Sequence, residues 1–494
     1  MTYYPPMGNT LFNRLVGVIV AAMAGGAALL LIFAVSADDP AEGDAPAQGL
    51  LFGMWRFLYA LDAPAPRVLL AAVSLAVLFA AGVAILELRV SNKSRRSFDL
   101  SSAPLAPKVV MGSTRGVYAG PVSVTVLIPA YNEEYSIAAT ITSILAQSQA
   151  PDRVIVVADN CTDATADIAR AHGVQVFSTV NNTAKKAGAL NQVLSQLLPD
   201  LGDNDLVMVL DADTSVDDGF LAAAVTRFTS DRALMAVGGL FYGEEGAGLL
   251  GQLQRNEYVR YSTQISRRRG RVFVLTGTAS LFRSRALREV AANRGVTIPG
   301  RQGDVYDTAA LTEDNELTLA LKSLGALIIS PQECTVVTEV MPTLQSLWVQ
   351  RLRWQRGALE NIGAYGVTPA TFRYWAQQLG IGYSVIALSA FMLLIVLTVL
   401  SVNAWVWFPF WLGLGIVFTT ERVVSAWRGG WRARLLAAAL IPELLFDMFL
   451  NVVYVQGIID ITRGRTGAWG HVSHAPPPPP GAAEPQTPVG AGAS

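Results

Sequence analysis

The chain has 494 residues, of which 52% are hydrophobic and only 15% are charged. Soluble proteins carry about 25% charged residues, so this composition excludes an ordinary soluble protein and predicts several membrane spans. The 37 basic and 38 acidic residues leave a net charge of −1, which argues against nucleic acid as a partner. Two cysteines and three histidines exclude a disulfide framework and a zinc site, and they fit a reducing cytoplasm.

Two apolar runs near the N-terminus predict membrane-spanning helices. Residues 15–37 and 68–86 each approach the roughly 20 residues that cross a bilayer. A cleaved signal peptide is the alternative for the first run, because small residues at 34–37 could form a cleavage site. Acidic residues separate the runs and basic residues follow the second, so the positive-inside rule puts the chain after Leu86 in the cytoplasm. We expect residues 1–96 to form an N-terminal transmembrane region.

Three further apolar runs, at residues 381–402, 405–420 and 435–459, predict a C-terminal transmembrane region over residues 379–462. Together with the N-terminal pair they predict a multi-pass protein of the plasma membrane. Five spans would leave the C-terminus outside, yet two arginines after the last run favour the inside, so the number and parity of these helices stay open. Residues 463–494 are rich in proline and predict a disordered tail.

The last apolar run is interrupted by three polar residues. Glu443, Asp447 and Asn451 are spaced four residues apart, which puts them on one helical face. Acids inside a membrane normally face a wet cavity or a polar partner. These side chains could therefore line a polar conduit or form hydrogen bonds between helices.

The region between the two sets of spans, residues 97–378, holds most of the charged residues and reads as a cytoplasmic domain. A β-branched strand at 122–129 ends in proline and is followed by a helical pattern and a second strand at 153–158. The alternation repeats through strands at 174–177 and 205–210. This pattern predicts a Rossmann-like α/β domain with a parallel sheet, whose ligands bind beyond the carboxyl ends of the strands.

Polar clusters follow the predicted strands. Tyr131 and Glu133 follow the first strand, Asp159 the second, and Asp211 and Asp213 the fourth. An isolated Asp-x-Asp is a weak signal, but at a strand end both carboxylates can approach one hard cation. Mg²⁺ or Mn²⁺ held in this way usually completes its shell with phosphate oxygens. The sequence therefore predicts a divalent metal and a nucleotide-diphosphate substrate.

The tripeptide Thr312, Glu313 and Asp314 opens a predicted helix. Carboxylates in a first helical turn stabilise the helix by capping it and by opposing its dipole. A carboxylate there could equally be a catalytic base. Taken alone, the tripeptide favours the capping role.

A second candidate helix, at 344–362, mixes basic and apolar residues and is expected to lie at the membrane surface. In this helix, Arg353 and Trp354 follow Gln350 by three and four residues, which places the three side chains on one helical face. Such a face could bind phosphate through the guanidinium and stack on a sugar through the indole. The alternative is a basic helix held by anionic lipid headgroups, with the tryptophan as an interfacial anchor.

Taken in order, these motifs resemble the processive family-2 glycosyltransferases, the group of cellulose synthase, hyaluronan synthase and poly-N-acetylglucosamine synthase. The resemblance covers roughly residues 120–365 and rests on PAYNEE, the Asp159 turn, KKAGALN, DAD, GTASLFR, TED and QRLRW. It implies an α/β domain of the glycosyltransferase A type between transmembrane helices. It also implies a hexosyltransferase that builds a β-linked polysaccharide from a UDP-sugar and couples synthesis to export.

The resemblance also implies roles for individual residues. Asp314 would be the general base of a single inverting displacement, without a covalent glycosyl-enzyme. In the donor site, Tyr131 would stack near the uracil, Asp159 would hydrogen-bond it, and Lys186 would contact the diphosphate. The whole donor set is Tyr131, Glu133, Asp159, Lys186 and Asp211. Asp213 and Asp211 would hold the metal, Thr312 and Glu313 accompany the base, and Gln350, Arg353 and Trp354 would contact the pyrophosphate and the acceptor sugar.

The sequence is also compatible with two other functions. One is a non-processive transferase that adds a single sugar to a lipid or polyprenyl phosphate acceptor. The other is a membrane transporter or receptor that only binds nucleotide. The segment at residues 293–310 resembles an insertion without an assigned role, and the sugar, the linkage, the regulator and the oligomeric state are not predicted.

Overall fold

The computed structural model describes residues 122–400 except 232, 268, 269 and 271, residues 409–465, and the isolated positions 25, 26, 28, 29, 32, 74 and 78. The predicted N-terminal spans at 15–37 and 68–86 lie outside the described residues apart from those positions. The same holds for all but the first three residues of the predicted tail.

The secondary-structure elements are labelled in chain order. The strands are β1 (Val124–Ala130), β2 (Arg153–Ala158), β3 (Gln175–Ser178), β4 (Leu206–Leu210), β5 (Ser215–Val216), β6 (Leu234–Gly238), β7 (Leu240–Gly243), β8 (Ala279–Arg283), β9 (Leu327–Ile329) and β10 (Thr335–Thr338). The helices are α1 (Ile137–Leu145), α2 (Thr165–Ala171), α3 (Lys185–Leu197), α4 (Phe220–Ser230), α5 (Gly248–Arg267), α6 (Ser284–Asn293), α7 (Glu313–Ser323), α8 (Leu344–Tyr365), α9 (Phe372–Leu400), α10 (Pro409–Ser425), α11 (Gly430–Ala439) and α12 (Ile441–Thr462).

The central sheet has seven strands in the order β3-β2-β1-β4-β8-β6-β9. The first four predicted strands pair in parallel, as expected. The prediction of a wholly parallel sheet is wrong beyond them, because β8 runs antiparallel to both β4 and β6. The regular alternation of strand and helix stops after β4, and the chain next builds a small sheet in the order β5-β10-β7.

Helices cover both faces of the central sheet, which is why β4 reads as a continuous apolar run and is buried along its whole length. On one face, α3, α6 and α7 pack through side chains such as Leu190, Leu287 and Leu321. On the other face, α1 and α4 pack through Ile141 and Phe220. Each such fully buried side chain contributes about 1.5–3 kcal/mol, so the strand ends are held on a rigid support.

The helix α8 begins at a capping box, in which Thr343 accepts a hydrogen bond from the Ser346 backbone N–H. It runs three residues beyond the predicted 344–362 and packs along α12. Where α8 passes the start of α7, a Cβ at Gly357 would lie only 2.5 Å from Thr312 Oγ1. A glycine is therefore required there for the close approach of the two helices.

The C-terminal helices only partly follow the prediction. Two helical segments, Phe372–Leu393 and Ile441–Thr462, are long and apolar enough to cross a membrane. The run predicted as one span at 435–459 is divided between α11 and α12. The chain turns at Leu440, where φ is 56°, and Pro442 then lies in the first turn of α12. Proline suits a first helical turn but would disrupt a continuous helix, which explains the break.

Candidate functional site

A cavity of about 970 Å³ opens beyond the carboxyl ends of β1, β2 and β4. It continues between α8, α9 and α12. Every site residue predicted from the sequence lies in its lining. These residues are Tyr131, Glu133, Asp159, Lys186, Asp211, Asp213, Thr312, Glu313, Asp314, Gln350, Arg353 and Trp354. We call Tyr131, Asp159, Lys186, Asp211 and Asp213 the strand-end wall, and Gln350, Arg353, Trp354, Gln377 and Phe446 the helical wall.

Lys186 joins the two acidic motifs. Its ammonium lies 2.6 Å from Asp211 Oδ1, after β4, and 3.1 Å from Glu313 Oε1, in the first turn of α7. Burial opposes the charge on this lysine, but the two carboxylates raise its pKa above the usual value. Burial likewise opposes the charge on Glu313, and Lys186 and Arg353 hold its pKa below the usual value. Lys186 and Glu313 thus form an ionised pair at the centre of the cleft, next to Asp211, whose pKa burial raises above the usual value.

Asp213 lies close to three other carboxylates. Burial raises its pKa to about 7, and the carboxylates of Asp211, Glu133 and Glu339 contribute in the same direction. Its Oδ1 accepts a hydrogen bond from Thr214 Oγ1 at 3.1 Å. A divalent cation would relieve this repulsion, so the donor set suits Mg²⁺ or Mn²⁺. Within the described residues no preformed cluster of three or more metal-binding side chains occurs, so substrate oxygens would have to complete the shell.

Asp211 is less available than the sequence suggested. The resemblance implied that Asp211 lies near the donor and also joins Asp213 at the metal. In the structure its Oδ1 pairs with Lys186, and this ammonium offsets part of the charge. Asp213 therefore has the stronger geometric case as the metal ligand.

Asp314 reaches across the cleft from the first turn of α7. Its Oδ2 accepts a hydrogen bond from the Gly277 backbone N–H at 3.0 Å, and its Oδ1 accepts one from the Asn315 N–H at 2.7 Å. Burial raises its pKa to about 6, with Glu313 as the next contribution. A base with a pKa near the working pH is well suited to accept a proton from a hydroxyl.

The N-cap residue of the tripeptide forms no side-chain hydrogen bond to the first turn of α7. Thr312 occupies the N-cap position, and its Oγ1 accepts a hydrogen bond from Asn361 Nδ2 of α8 at 3.2 Å. The tripeptide thus combines three tasks. Thr312 contacts α8, Glu313 pairs with Lys186, and Asp314 faces the cavity.

The other end of the strand-end wall holds Tyr131 and Asp159. Tyr131 is 42% exposed and lines the cavity, where an aromatic ring can contribute a stacking surface. Asp159 is buried, and its Oδ1 accepts hydrogen bonds from Thr179 Oγ1 at 2.9 Å and Asn182 Nδ2 at 2.8 Å. These contacts fix the carboxylate at the end of β2, although Asn182 and Thr179 carried no signal in the sequence.

The helical wall differs in character. The side-chain oxygen of Gln350 is buried and accepts no hydrogen bond within the described part of the chain. The guanidinium of Arg351 lies 4.2 Å from the ring centroid of Trp354 and donates to Glu257 at 2.7 Å. This packing holds the indole in the cavity wall. The positive charge of Arg353 favours the ionised forms of Asp211 and Glu313, and this interaction links the two walls.

The polar residues of α12 divide between the two predicted roles. Glu443 Oε1 accepts hydrogen bonds from Asn256 Nδ2 at 2.8 Å and from Arg260, both on α5, so it bonds between helices. Asp447 pairs with Arg422 of α10 and also lines the cavity. A cavity-lining role therefore applies to Asp447 but not to Glu443.

The segment at 293–310, to which the sequence assigned no role, binds α7 outside the cavity lining. The buried Arg294 donates to both carboxylate oxygens of Glu316 on α7, at 2.8 and 2.7 Å. Tyr365 of α8 donates to the same carboxylate at 2.5 Å. Tyr306 is buried close to Lys186, and burial raises the pKa of its hydroxyl. An arginine in a loop carries no distinctive pattern, so only the structure reveals this network.

Residues 121–357 match the family described as "glycosyltransferase like family 2". The chain contains a family-2 glycosyltransferase domain. This match confirms the expectation of a sugar-transferring enzyme class, and it fits the observed α/β fold of the glycosyltransferase A type with a mixed central sheet.

Relatives with curated names point in the same direction. The domain is 29% identical over 243 residues to poly-β-1,6-N-acetyl-D-glucosamine synthase of Staphylococcus aureus, which covers 48% of this chain and 55% of the relative. The synthase of the same name from Staphylococcus epidermidis is 27% identical over 244 residues, with the same coverage of both chains. The chain thus matches about half the length of these relatives.

Solved structures to which this chain shows similarity include a mannosyltransferase from Pyrobaculum calidifontis in complex with GDP-mannose and Mn²⁺. It has 17% identity and a TM-score of 0.47, with 79% of this chain and 97% of that chain covered. Glucosyl-3-phosphoglycerate synthase from Mycobacterium tuberculosis has 19% identity and a TM-score of 0.34, with 55% and 88% covered.

Proposed function

We propose that this protein transfers hexose units from a UDP-sugar to the end of a growing β-linked polysaccharide. One observation carries the proposal. Asp314, Lys186 and Asp213 come from distant parts of the chain, yet they line one cleft, whose other wall offers an amide, a guanidinium and an indole. A nucleotide-binding transporter or receptor would not need Asp314, a half-buried carboxylate with a raised pKa, on the opposite side of the donor site.

The proposed reaction is a single displacement. Asp314 accepts the proton of the acceptor hydroxyl as the hydroxyl oxygen bonds to the anomeric carbon. The bond from that carbon to the diphosphate oxygen breaks at the same time, and its electron pair leaves with the UDP. Attack opposite an α-linked leaving group yields a β linkage.

The departing diphosphate requires positive charge. Lys186 is already ionised and rigidly held, and Arg353 reaches the same cluster. Mg²⁺ or Mn²⁺ held by Asp213, with Asp211 nearby, would neutralise the remaining phosphate charge. Preorganised charges of this kind are worth several kcal/mol in a transition state.

The proposal also includes polymerisation of the sugar units and export of the product. The cavity extends from the base past Trp354 to Gln377, Phe446 and Asp447, between helices that include both candidate spans. A polymer that has received its next unit would lie along this extension. We propose that residues 97–378 form the cytoplasmic domain of a multi-pass plasma-membrane protein and that the extension leads the product to the bilayer.

The experiment uses the full chain purified in detergent. It is supplied with Mg²⁺ or Mn²⁺ and, separately, with UDP-N-acetylglucosamine, UDP-glucose or UDP-glucuronate, and both UDP release and product mass are measured. Given the named relatives, we expect UDP-N-acetylglucosamine to give the fastest release and a long product. A product extended by a single sugar on a lipid acceptor would contradict processivity, and nucleotide binding without UDP release would contradict the enzyme.

A further inference from the structure

Lys322 is a half-buried lysine that the proposed reaction does not use. It lies in the last turn of α7, where a basic residue ordinarily faces solvent and opposes the helix dipole. Its ammonium instead donates to the backbone carbonyls of Val272 and Phe273, at 2.6 and 2.8 Å, and to the Tyr374 hydroxyl at 2.7 Å. Burial lowers its pKa well below the usual lysine value, so this placement requires compensation.

The compensation comes from two aromatic rings as well as from these oxygens. The ammonium lies 5.1 Å from the ring centroid of Tyr374 and 6.0 Å from that of Phe273. The two rings meet edge to face, with centroids 5.5 Å apart. The Tyr374 hydroxyl in turn donates to the Phe273 carbonyl. Tyr374 belongs to the first turn of α9, the helix that contains a candidate membrane span.

Lys322 is the last of three residues that bind one backbone segment. Asp314, Thr318 and Lys322 are spaced four apart on α7, so they lie on one helical face. Gly277 donates its N–H to Asp314, and Leu275 donates its N–H to Thr318 Oγ1 at 3.0 Å. We call residues 272–277 the base-side segment, because its far end orients the base.

We propose that Lys322 is a positioning residue for Asp314. By fixing the base-side segment at Val272 and Phe273, it sets where the Gly277 N–H meets the carboxylate, and it ties this geometry to the start of α9. The inference rests on the proposed function, because it assigns Asp314 the role of base. Lys322 lies outside the cavity lining, so its loss should slow the chemical step without weakening donor binding.

Four substitutions test the inference in the full chain, with UDP-N-acetylglucosamine or the better donor from the assay above. Lys322→Met removes the donors but keeps an unbranched stem, and Tyr374→Phe removes only the hydroxyl. Thr318→Val removes the acceptor for Leu275, whereas Thr318→Ser keeps it. We expect Lys322→Met to lower kcat at least tenfold and Tyr374→Phe about threefold, with the donor KM changed less than twofold. Thr318→Val should also lower kcat, whereas Thr318→Ser should keep kcat near the wild-type value.

Arg288→Met is the matched control. Arg288 also holds two backbone carbonyls, those of Leu198 and Leu201, but it lies outside the cavity lining. We expect this variant to lose stability with kcat within twofold of wild type. A kcat loss equal to that of Lys322→Met at the same loss of stability would overturn the inference.

A double-mutant comparison separates positioning from general damage. If Lys322 acts through Asp314, Lys322→Met should add little to the loss caused by Asp314→Asn. A further tenfold loss in that background contradicts the inference. If Lys322→Met does not fold, the contrast between Thr318→Val and Thr318→Ser decides, and equal kcat for both overturns it. A wild-type chain that transfers no sugar refutes the proposed function itself, whereas active wild type with unchanged kcat in Lys322→Met refutes only the positioning role.

Discussion

The two walls of the cleft are built on different principles. In the strand-end wall, charged groups meet at short range, as when Lys186 lies between Asp211 and Glu313. In the helical wall, an indole, amides and a phenyl ring predominate, and the buried oxygen of Gln350 has no donor within the described residues. The first wall sits on the rigid sheet, and the second is formed by helices that continue toward the candidate spans.

This difference matches two kinds of ligand. A diphosphate leaving group needs fixed charge at one place. Ion pairs between a strand end and the first turns of helices supply that charge at low reorganisation cost. A polymer that must advance by one unit after each transfer needs contacts that every unit can form equally well. Aromatic faces and amides meet this requirement, because stacking and neutral hydrogen bonds are weaker and less tied to one register.

The largest expected effect comes from the group between the walls. Asp314→Asn keeps the shape of the side chain but removes its basicity, so we expect turnover to fall about 10²- to 10⁴-fold. UDP binding, measured by calorimetry, should change little, because the strand-end wall is intact. Near-normal transfer by this variant would show that another group accepts the proton.

The strand-end wall is tested next by Asp213→Asn. This change lowers the negative charge that favours a divalent cation, so we expect about a 100-fold loss of kcat/KM and weaker binding of Mn²⁺. Asp218→Asn provides the control, since Asp218 is an exposed aspartate five residues further along the chain. Unchanged metal affinity in Asp213→Asn, measured by calorimetry with UDP present, would remove Asp213 from the metal site.

A smaller effect is expected from pH. Asp314 must be ionised to accept a proton, and burial raises its pKa to about 6. The value of kcat should therefore rise from low pH, level off above about pH 7, and at pH 5 be about tenfold below the plateau. Saturating metal is needed in this measurement, because Asp213 titrates near pH 7 when no cation is bound. A flat profile from pH 5 to 8 would be inconsistent with Asp314 as the base.

The sequence anticipated the strand-end wall better than its surroundings. Asp159 directly follows β2, and Asp213 lies in the tripeptide that follows β4. The ends of parallel strands share one edge of a sheet, so the proximity of these two residues could be foreseen. The role of Asp314 was recognisable only through the family resemblance, because its tripeptide alone favoured helix capping, and its distance from Asp213 depends on how α7 packs. The sequence also anticipated that one side of α8 would face the site.

What escaped prediction depends on contacts between distant segments. Arg294 lies in a loop without periodicity, and its partner Glu316 is 22 residues away. Lys322 resembled an ordinary basic residue at a helix end, because the carbonyls that it binds lie about 50 residues earlier. The antiparallel strand β8 was missed for the same reason, since its pairing with β4 is set by tertiary packing rather than by local pattern.

The mildest change should come from the helical wall. Trp354→Ala removes a stacking surface worth about 0.5–1.5 kcal/mol, so we expect the acceptor interaction to weaken about threefold to tenfold. Because each elongation cycle then competes with release, the mean product length should fall while the donor KM stays within twofold. Trp354→Phe retains a ring and should give intermediate lengths.

Trp348→Ala is the control for this last effect. Trp348 lies on the same helix, but its ring packs edge to face on Phe449 of α12, at 5.8 Å between centroids, and it does not line the cavity. Its loss should lower the melting temperature without shortening the polymer. If both variants shorten the product equally, length is governed by the packing of α8 on α12. If Trp354→Ala instead raises the donor KM and leaves the length unchanged, the indole belongs with the donor-binding groups, and the contrast between the two walls fails at that residue.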